Sequence, residues 1–257
     1  MRRSVIGKLR SKGRSLFNAD PTINKGQLSV CRRPNAKYAR TAKEYLECDS
    51  CGEYLRSTGL RRHWNVCTGN PLPGVRVVKK FSRIAEGRVH VDASKDLQTV
   101  FSKMGENEEV LLIRFDWIVV TFGNDLCINL WRDYQMRIIR SKLRSAGTLL
   151  SVAKSLAPEV TDFASLCDVT KCNTIIAAIR RIAGFDPESK EFRSPTTATT
   201  IVTLTKQIGA LLKLEYMKRA DNCKAKAVKK FLEVFEQEAK IKINKQAYVT
   251  RINNQYN

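Results

Sequence analysis

From residue 93 onward, apolar residues recur three and four positions apart, the spacing that lines one face of an α-helix. In DASKDLQTVFSKM, Leu97, Val100, Phe101 and Met104 share a face behind the cap candidates Asp92 and Ser94. NEEVLLIRFDWIVVTFG comes next, and Asn107 as cap, acids in the first turn and Gly123 as stop predict one helix. Its β-branched run IVVTF also suits a strand, but the helical neighbours favour helix. The segment from Leu130 to about Ser155 reads as a long amphipathic helix. Met136, Ile139, Leu143, Ala146, Leu149 and Leu150 form its apolar stripe, while Arg132, Arg137, Arg140, Lys142 and Arg144 occupy the other faces. Three more helices are expected at about Asp168–Ala183, closed by Gly184, at Ser194–Lys218, opened by Ser194-Pro195, and at Asn222–Ile241. Strand alternation is almost absent. The fold class that follows is mainly α, with a helical bundle over 92–250 and a short tail at 251–257.

The first third of the chain reads differently. Residues 1–43 are basic, rich in turn formers and weakly periodic, which predicts a disordered arm. Residues 44–68 hold a compact cluster of cysteine and histidine. The stretch TGNPLPGVRVVKK, with its two prolines and two glycines, marks residues 69–91 as a linker.

Charge narrows the possible partners. The formal net charge is +21 over 257 residues, and a surface that repels itself so strongly calls for a polyanion. The excess is steepest at the N-terminal end, where residues 1–70 hold 15 Lys and Arg against 5 Asp and Glu. No run of about 18 apolar residues exists, so no membrane partner is expected. The longest candidate, VLLIRFDWIVVTF, is broken by Arg114 and Asp116. The N-terminal segment lacks the apolar core of a secretory signal, so disulfides are not expected and Cys31, Cys127, Cys167, Cys172 and Cys223 read as free thiols. The same segment is Arg- and Ser-rich with no acid before Asp20, which keeps a mitochondrial location open as the alternative to the nucleus.

The sharpest chemical signal is CDSCGEYLRSTGLRRHWNVC. Cys48, Cys51, His63 and Cys67 follow the spacing C-x2-C-x11-H-x3-C, one residue short of the usual finger centre and with Cys in place of the last His. Thiolates and an imidazole at these intervals suit Zn2+ in a closed tetrahedral site. Leu55 and Leu60 stand where a small ββα zinc finger needs its core side chains. A unit of this size has too little apolar surface to fold unaided, so the metal must supply most of the folding energy. Counted back from His63, Arg56, Gly59 and Arg62 take the helix positions that read bases in fingers of this kind, and Arg61 adds a cation beside them. Arginine at such a position can grip a guanine edge bidentately. In the bundle, Arg137, Arg140 and Arg144 are the candidates for phosphate contacts.

The motif order carries a resemblance. DWIVVTFGN, RIIRSKLRSAGTLL, FRSPTTATTIVTLTKQIGALLK and AVKKFLEVFEQEA, with NKQ close behind, follow one another after the cysteine-histidine unit. This series, over about residues 44–250, resembles the region between zinc finger and catalytic domain in Crypton-like, transposon-derived tyrosine recombinases. The resemblance implies a helical core-binding domain that clamps DNA ahead of a cutting domain. It carries over no catalytic residue. No H-x-x-R motif occurs, since His63 is followed by WNV and His90 by VDA, and Tyr248 and Tyr256 lack such partners. No P-loop, G-x-G-x-x-G or G-x-S-x-G is present either. The expectation is a zinc-dependent nucleic-acid-binding protein without enzymatic activity, acting on DNA before RNA. The alternative is a zinc-finger adaptor that binds protein partners.

Overall fold

A computed structural model describes residues 2–19, 29–30, 45–48, 50–68, 82, 89–90, 92–104, 107–129 and 135–256. The chain divides into two units, residues 1–89 with 101–103 and residues 90–100 with 104–257. It is mainly α-helical, and a small ββα element precedes the main run of helices.

In the first unit, α1 spans Arg2–Ala19. Strands β1 (Tyr45–Glu47) and β2 (Tyr54–Arg56) pair antiparallel, and α2 covers Leu60–Thr68. The helix α1 corrects the expectation of a disordered arm for residues 2–19. Its Leu, Lys and Arg residues favour helix, and its polar side chains find tertiary partners that no sequence periodicity announces. Ser11 donates to the Cys51 carbonyl, and Arg14 pairs with Glu53. Asn18 exchanges hydrogen bonds with the backbone of Ser29, at 3.0 and 2.7 Å. Residues 1, 20–28 and 31–43 of the expected arm, and residues 69–81, 83–88 and 91 of the expected linker, lie outside the described residues.

The helix α3 (Lys95–Ser102), which belongs to the second unit up to Val100, is capped at its N-terminus by Ser94 Oγ accepting from Leu97 N at 3.2 Å. Leu97, Val100, Phe101 and Met104 are all buried, as their spacing predicts. The single helix expected from Asn107 to Gly123 is two. Helix α4 (Glu108–Arg114) carries the Asn107 cap, and α5 (Trp117–Asn129) starts afresh after Phe115. The break comes at Asp116, whose carboxylate accepts the Val119 N–H at 3.1 Å and so offers the backbone a new N-terminus. Gly123 does not stop α5. It sits within the helix, where a Cβ would come within 2.7 Å of the Leu97 side chain.

Helix α6 (Met136–Leu156) buries Ile139, Leu143, Ala146, Leu149 and Leu150 of the expected stripe, while Met136 at its start is only half-buried. Residues 130–134 of that expected helix lie outside the described residues. At Gly147 the α4 backbone comes so close that a Cβ would stand 2.6 Å from the Glu109 carbonyl oxygen. Only glycine permits that approach. One turn, α7 (Phe163–Leu166), is held by a capping box between Asp162 and Ser165. A 3-10 turn at Val169–Lys171 leads into α8 (Cys172–Ala183), which ends at Gly184 as expected. A two-residue hairpin follows, β3 (Phe185–Asp186) with β4 (Glu191–Phe192), which the strand-free reading of the sequence misses.

Helix α9 (Pro195–Lys218) opens with its proline in the first turn and lies against α10 (Asn222–Ala239). A π-helical turn at Lys240–Asn244 joins α10 to α11 (Lys245–Tyr256). Arg180 reaches this turn, donating to the Lys242 carbonyl at 3.2 Å and to Gln246 Oε1 at 3.1 Å. The C-terminal segment expected as a tail from 251 is therefore helical through Tyr256. Among the described residues no helix is long and apolar enough to cross a membrane.

Candidate metal centre

The centre is assembled from one turn and one helix. Cys48 follows β1 directly and begins a tight turn in which the Gly52 N–H donates to the Cys48 carbonyl at 2.7 Å. The Cys48 N–H closes the hairpin onto the Glu53 carbonyl at 2.9 Å. Gly52 adopts φ +70, a left-handed conformation that a side chain would strain, so the residue after the second cysteine has to be glycine for this turn to form cheaply. The turn brings Cys48 and Cys51 to one side of the hairpin.

The other two ligands come from α2. His63 and Cys67 are four residues apart, hence on one face of the helix. The helix starts where the His63 N–H reaches the Gly59 carbonyl at 3.1 Å. Beneath the ligands lies a small core of Leu46, Cys48, Leu60 and Trp64, with Cys51, Leu55 and Cys67 packed at its edge. Leu55 and Leu60 are thus in the expected places. Leu46 and Trp64 are core residues that ligand spacing alone does not reveal, although an apolar residue in the strand before the first cysteine is their signal.

The four ligand atoms of Cys48, Cys51, His63 and Cys67 all lie within 4.8 Å of one another, and the set can hold a metal ion. His63 turns Nε2 to the cluster, 3.2 Å from Cys51 Sγ. The hydrogen bond from Cys51 is the main reason the Cys48 thiol is drawn down to about 5, and the backbone N–H groups of Cys51 and Ser50 pull the same way against burial. Cys51 is pushed up as the holder of the shared proton, with burial adding to the effect. A metal binding here displaces that proton. The turn is also held from outside, by Ser11 on the Cys51 carbonyl and Arg14 on Glu53.

The remaining thiols have another character. Cys127, Cys167, Cys172 and Cys223 are free, as expected, while Cys31 lies outside the described residues. Burial pushes Cys127 and Cys172 up to about 11 and raises Cys167 too. Such thiols behave as small apolar side chains.

The arginine candidates fall on three elements. Arg61 and Arg62 are exposed in the first turn of α2. Arg56 does not join them, because the helix begins at Leu60 and Arg56 lies exposed on β2, opposite Tyr45. The turn at 57–59, closed by the Gly59 N–H on the Arg56 carbonyl at 2.8 Å, separates the two. On α6, Arg137 and Arg144 are exposed, and Arg140 is half-buried with its Nε on the Met136 carbonyl at 3.2 Å. No protein-family model, curated protein or solved structure matches the chain.

Proposed function

We propose that the chain is a zinc-dependent nucleic-acid-binding protein that acts on DNA in the nucleus. Three thiolates and an imidazole are a donor set that suits zinc above the harder divalent cations. With Zn–S near 2.3 Å, tetrahedral ligand atoms stand roughly 3.8 Å apart. The present spread, within 4.8 Å, closes to that by small side-chain rotations. Zinc would tie the hairpin of β1 and β2 to α2 and thereby fix Arg61 and Arg62 on a rigid helix. Cys48, Cys51, His63 and Cys67 would hold it, while Ser11 steadies the turn that carries two of them.

The observation that carries the nucleic-acid reading is a set of arginines without acidic partners. Among the described residues, Arg56, Arg61, Arg62, Arg137 and Arg144 form no ion pair or hydrogen bond through their side chains. Some bundle lysines are matched, Lys171 with Glu159, Lys206 with Glu236, Lys224 with Asp221 and Lys242 with Glu238, while others such as Lys213, Lys226 and Lys230 are not. Helix α6 contains no acid at all, and it bears Arg137, Arg140, Lys142 and Arg144 in its N-terminal half. Helix α2 likewise opens on Arg61 and Arg62. Cations at a helix N-terminus oppose the macrodipole, each at a cost of about 0.3–1 kcal/mol. An external polyanion relieves that cost, and DNA phosphates supply it.

The motif order described above fits the binding region of a Crypton-like, transposon-derived tyrosine recombinase, and we assign this chain no catalytic residue. Fluorescence titration of a labelled duplex across a salt series tests the reading. If about 5–8 phosphates are contacted, log Kobs against log[salt] falls with a slope of roughly −4 to −7. A slope near zero ends the nucleic-acid reading and leaves the finger as a protein-binding element. A parallel titration with duplex RNA decides between the two nucleic acids.

A further inference from the structure

Helical threonines in this protein commonly turn their hydroxyls back onto the carbonyl one turn earlier. Thr99, Thr121, Thr203 and Thr205 do so at 2.8–3.0 Å. Ser151 and three further hydroxyls on α6 do not. Among the described residues, Ser141, Ser145 and Thr148 make no side-chain hydrogen bond. Their spacing places them on one helix face, with Arg144 beside them. These four line an open groove of about 210 Å3, together with Ile182 of α8 and Thr197 and Ile201 of α9. No carboxylate lines it.

We propose that this groove seats a backbone phosphate of the bound nucleic acid, an inference that rests on the nucleic-acid reading above. A phosphodiester presents only acceptors and one negative charge. The groove offers the complement: a guanidinium able to donate two parallel hydrogen bonds, and hydroxyls free to donate from the same helix face. Ile182 and Ile201 line it beside these donors, so a seated phosphate loses water on that side and gains from each remaining contact. On the same measure a single water molecule needs only about 10–15 Å3, so the groove takes a larger group. Arg137, seven residues before Arg144, stands roughly 10 Å away along the helix axis and is placed for a neighbouring part of the same backbone.

The test is duplex titration across salt with the full zinc-loaded chain. The proteins compared are wild type, Arg144→Gln, Arg144→Lys, the double variant Ser145→Ala/Thr148→Val, and Lys229→Gln. Arg144→Gln should flatten the salt slope by about 0.9. Arg144→Lys keeps the charge and should keep the slope while weakening binding severalfold, a pair of results that an unfolded variant cannot give. The double variant should weaken binding about tenfold at unchanged slope, since it removes hydrogen bonds and no charge. Lys229 pairs with Glu233 at 3.9 Å, and Lys229→Gln should match wild type in both quantities. If wild type binds with a steep slope and Arg144→Gln and the double variant bind identically to it, the groove is not a phosphate seat although the protein still binds DNA. If wild type itself shows a flat slope, both readings fall together.

Discussion

Asp116 accepts the backbone N–H of Phe163 on Oδ2 at 2.6 Å, although 47 residues separate them in the chain. Its Oδ1 simultaneously caps α5 through Val119. One carboxylate therefore satisfies orphan donors at the starts of α5 and α7, and it does so while buried to 5 % exposure. Burial raises its pKa above the ordinary value of 3.8, the two backbone donors opposing this and Asp162 adding to it. A raised folded pKa means that the native state holds the proton more tightly than the unfolded chain. The Asp116 contribution is thus fully present below about 3.8 and is lost as pH rises through the folded value. Asp116→Asn removes the titration and turns one acceptor into a donor that faces another donor. The expected result is a loss of about 1–3 kcal/mol. The margin of wild type over the variant should be widest in acid and should narrow towards neutral pH. Urea unfolding of both proteins across that range checks the sign.

One zinc per chain is expected, bound through Cys48, Cys51, His63 and Cys67. Cys51→Ala should abolish stoichiometric zinc by elemental analysis and unfold the ββα element, while the far-UV signal of α3–α11 remains. Ser11→Ala removes only the hydroxyl on the Cys51 carbonyl. It should keep the zinc and weaken its affinity by about tenfold, the lower end of what outer contacts contribute. Equal affinity in a chelator competition would show that α1 does not steady the turn.

Gly147 and Gly123 should part company when each is changed to alanine. At Gly147 the new Cβ meets the Glu109 carbonyl oxygen at 2.6 Å and its carbon at 3.0 Å, so α4 must move. About 1–3 kcal/mol of destabilisation is expected from that overpacking. At Gly123 the Cβ meets the Leu97 side chain, whose methyl groups can rotate away, and the helix gains propensity. The thermal midpoint should drop clearly for Gly147→Ala and little for Gly123→Ala.

Within the finger, Arg62 and Arg56 should behave unlike each other. Arg62 stands in the first turn of α2, the part of a finger helix that meets base edges, whereas Arg56 lies on β2. Arg62→Ala should cost about 1–3 kcal/mol of discrimination at one position of the site. Arg56→Ala should weaken all sequences alike, as loss of a phosphate contact does. Selection from a randomised duplex pool on both variants measures the difference, and flattened preference in Arg56→Ala alone would reverse the assignment.

How much of this was legible in the sequence depends on the range of the interaction. The ligand set was fully legible, because four residues with fixed chemistry at fixed intervals need no tertiary context. The buried stripe of α6 was legible for the same reason: Ile139, Leu143, Ala146 and Leu150 repeat with the period of the helix itself. The break at Asp116 was not. Asp116 sits in an apolar run that reads as one continuous helix, and although its cap on Val119 is local, its second bond to Phe163 is one that local pattern cannot supply. Gly123 misled for a related reason, since a glycine that ends a helix and one that admits Leu97 look alike in one dimension. The helix α1 was missed because its fastening lies on the turn of Cys51 and Glu53, far along the chain. Arg56 was misplaced by counting back from His63, a rule that presumes a helix three residues longer than the one that forms.

The π turn at Lys240–Asn244 has a consequence for insertion and deletion. Phe235, Ala239, Ile243 and Ala247 are all fully buried and recur every fourth residue. In an unbroken α-helix a four-residue step overshoots a full turn by about 40°, and three such steps would carry Ala247 well off the face that Phe235 occupies. The wider turn absorbs the overshoot, so it works as a phase corrector between α10 and α11. Losing a single residue there would barely shorten the chain, yet it would rotate everything after it by about 100°. Thr250 would swing away from the Phe192 N–H that it accepts at 3.1 Å, and Gln246 would leave Arg180. Among relatives of this protein, chain length should therefore be held constant across these five residues even where their identities drift.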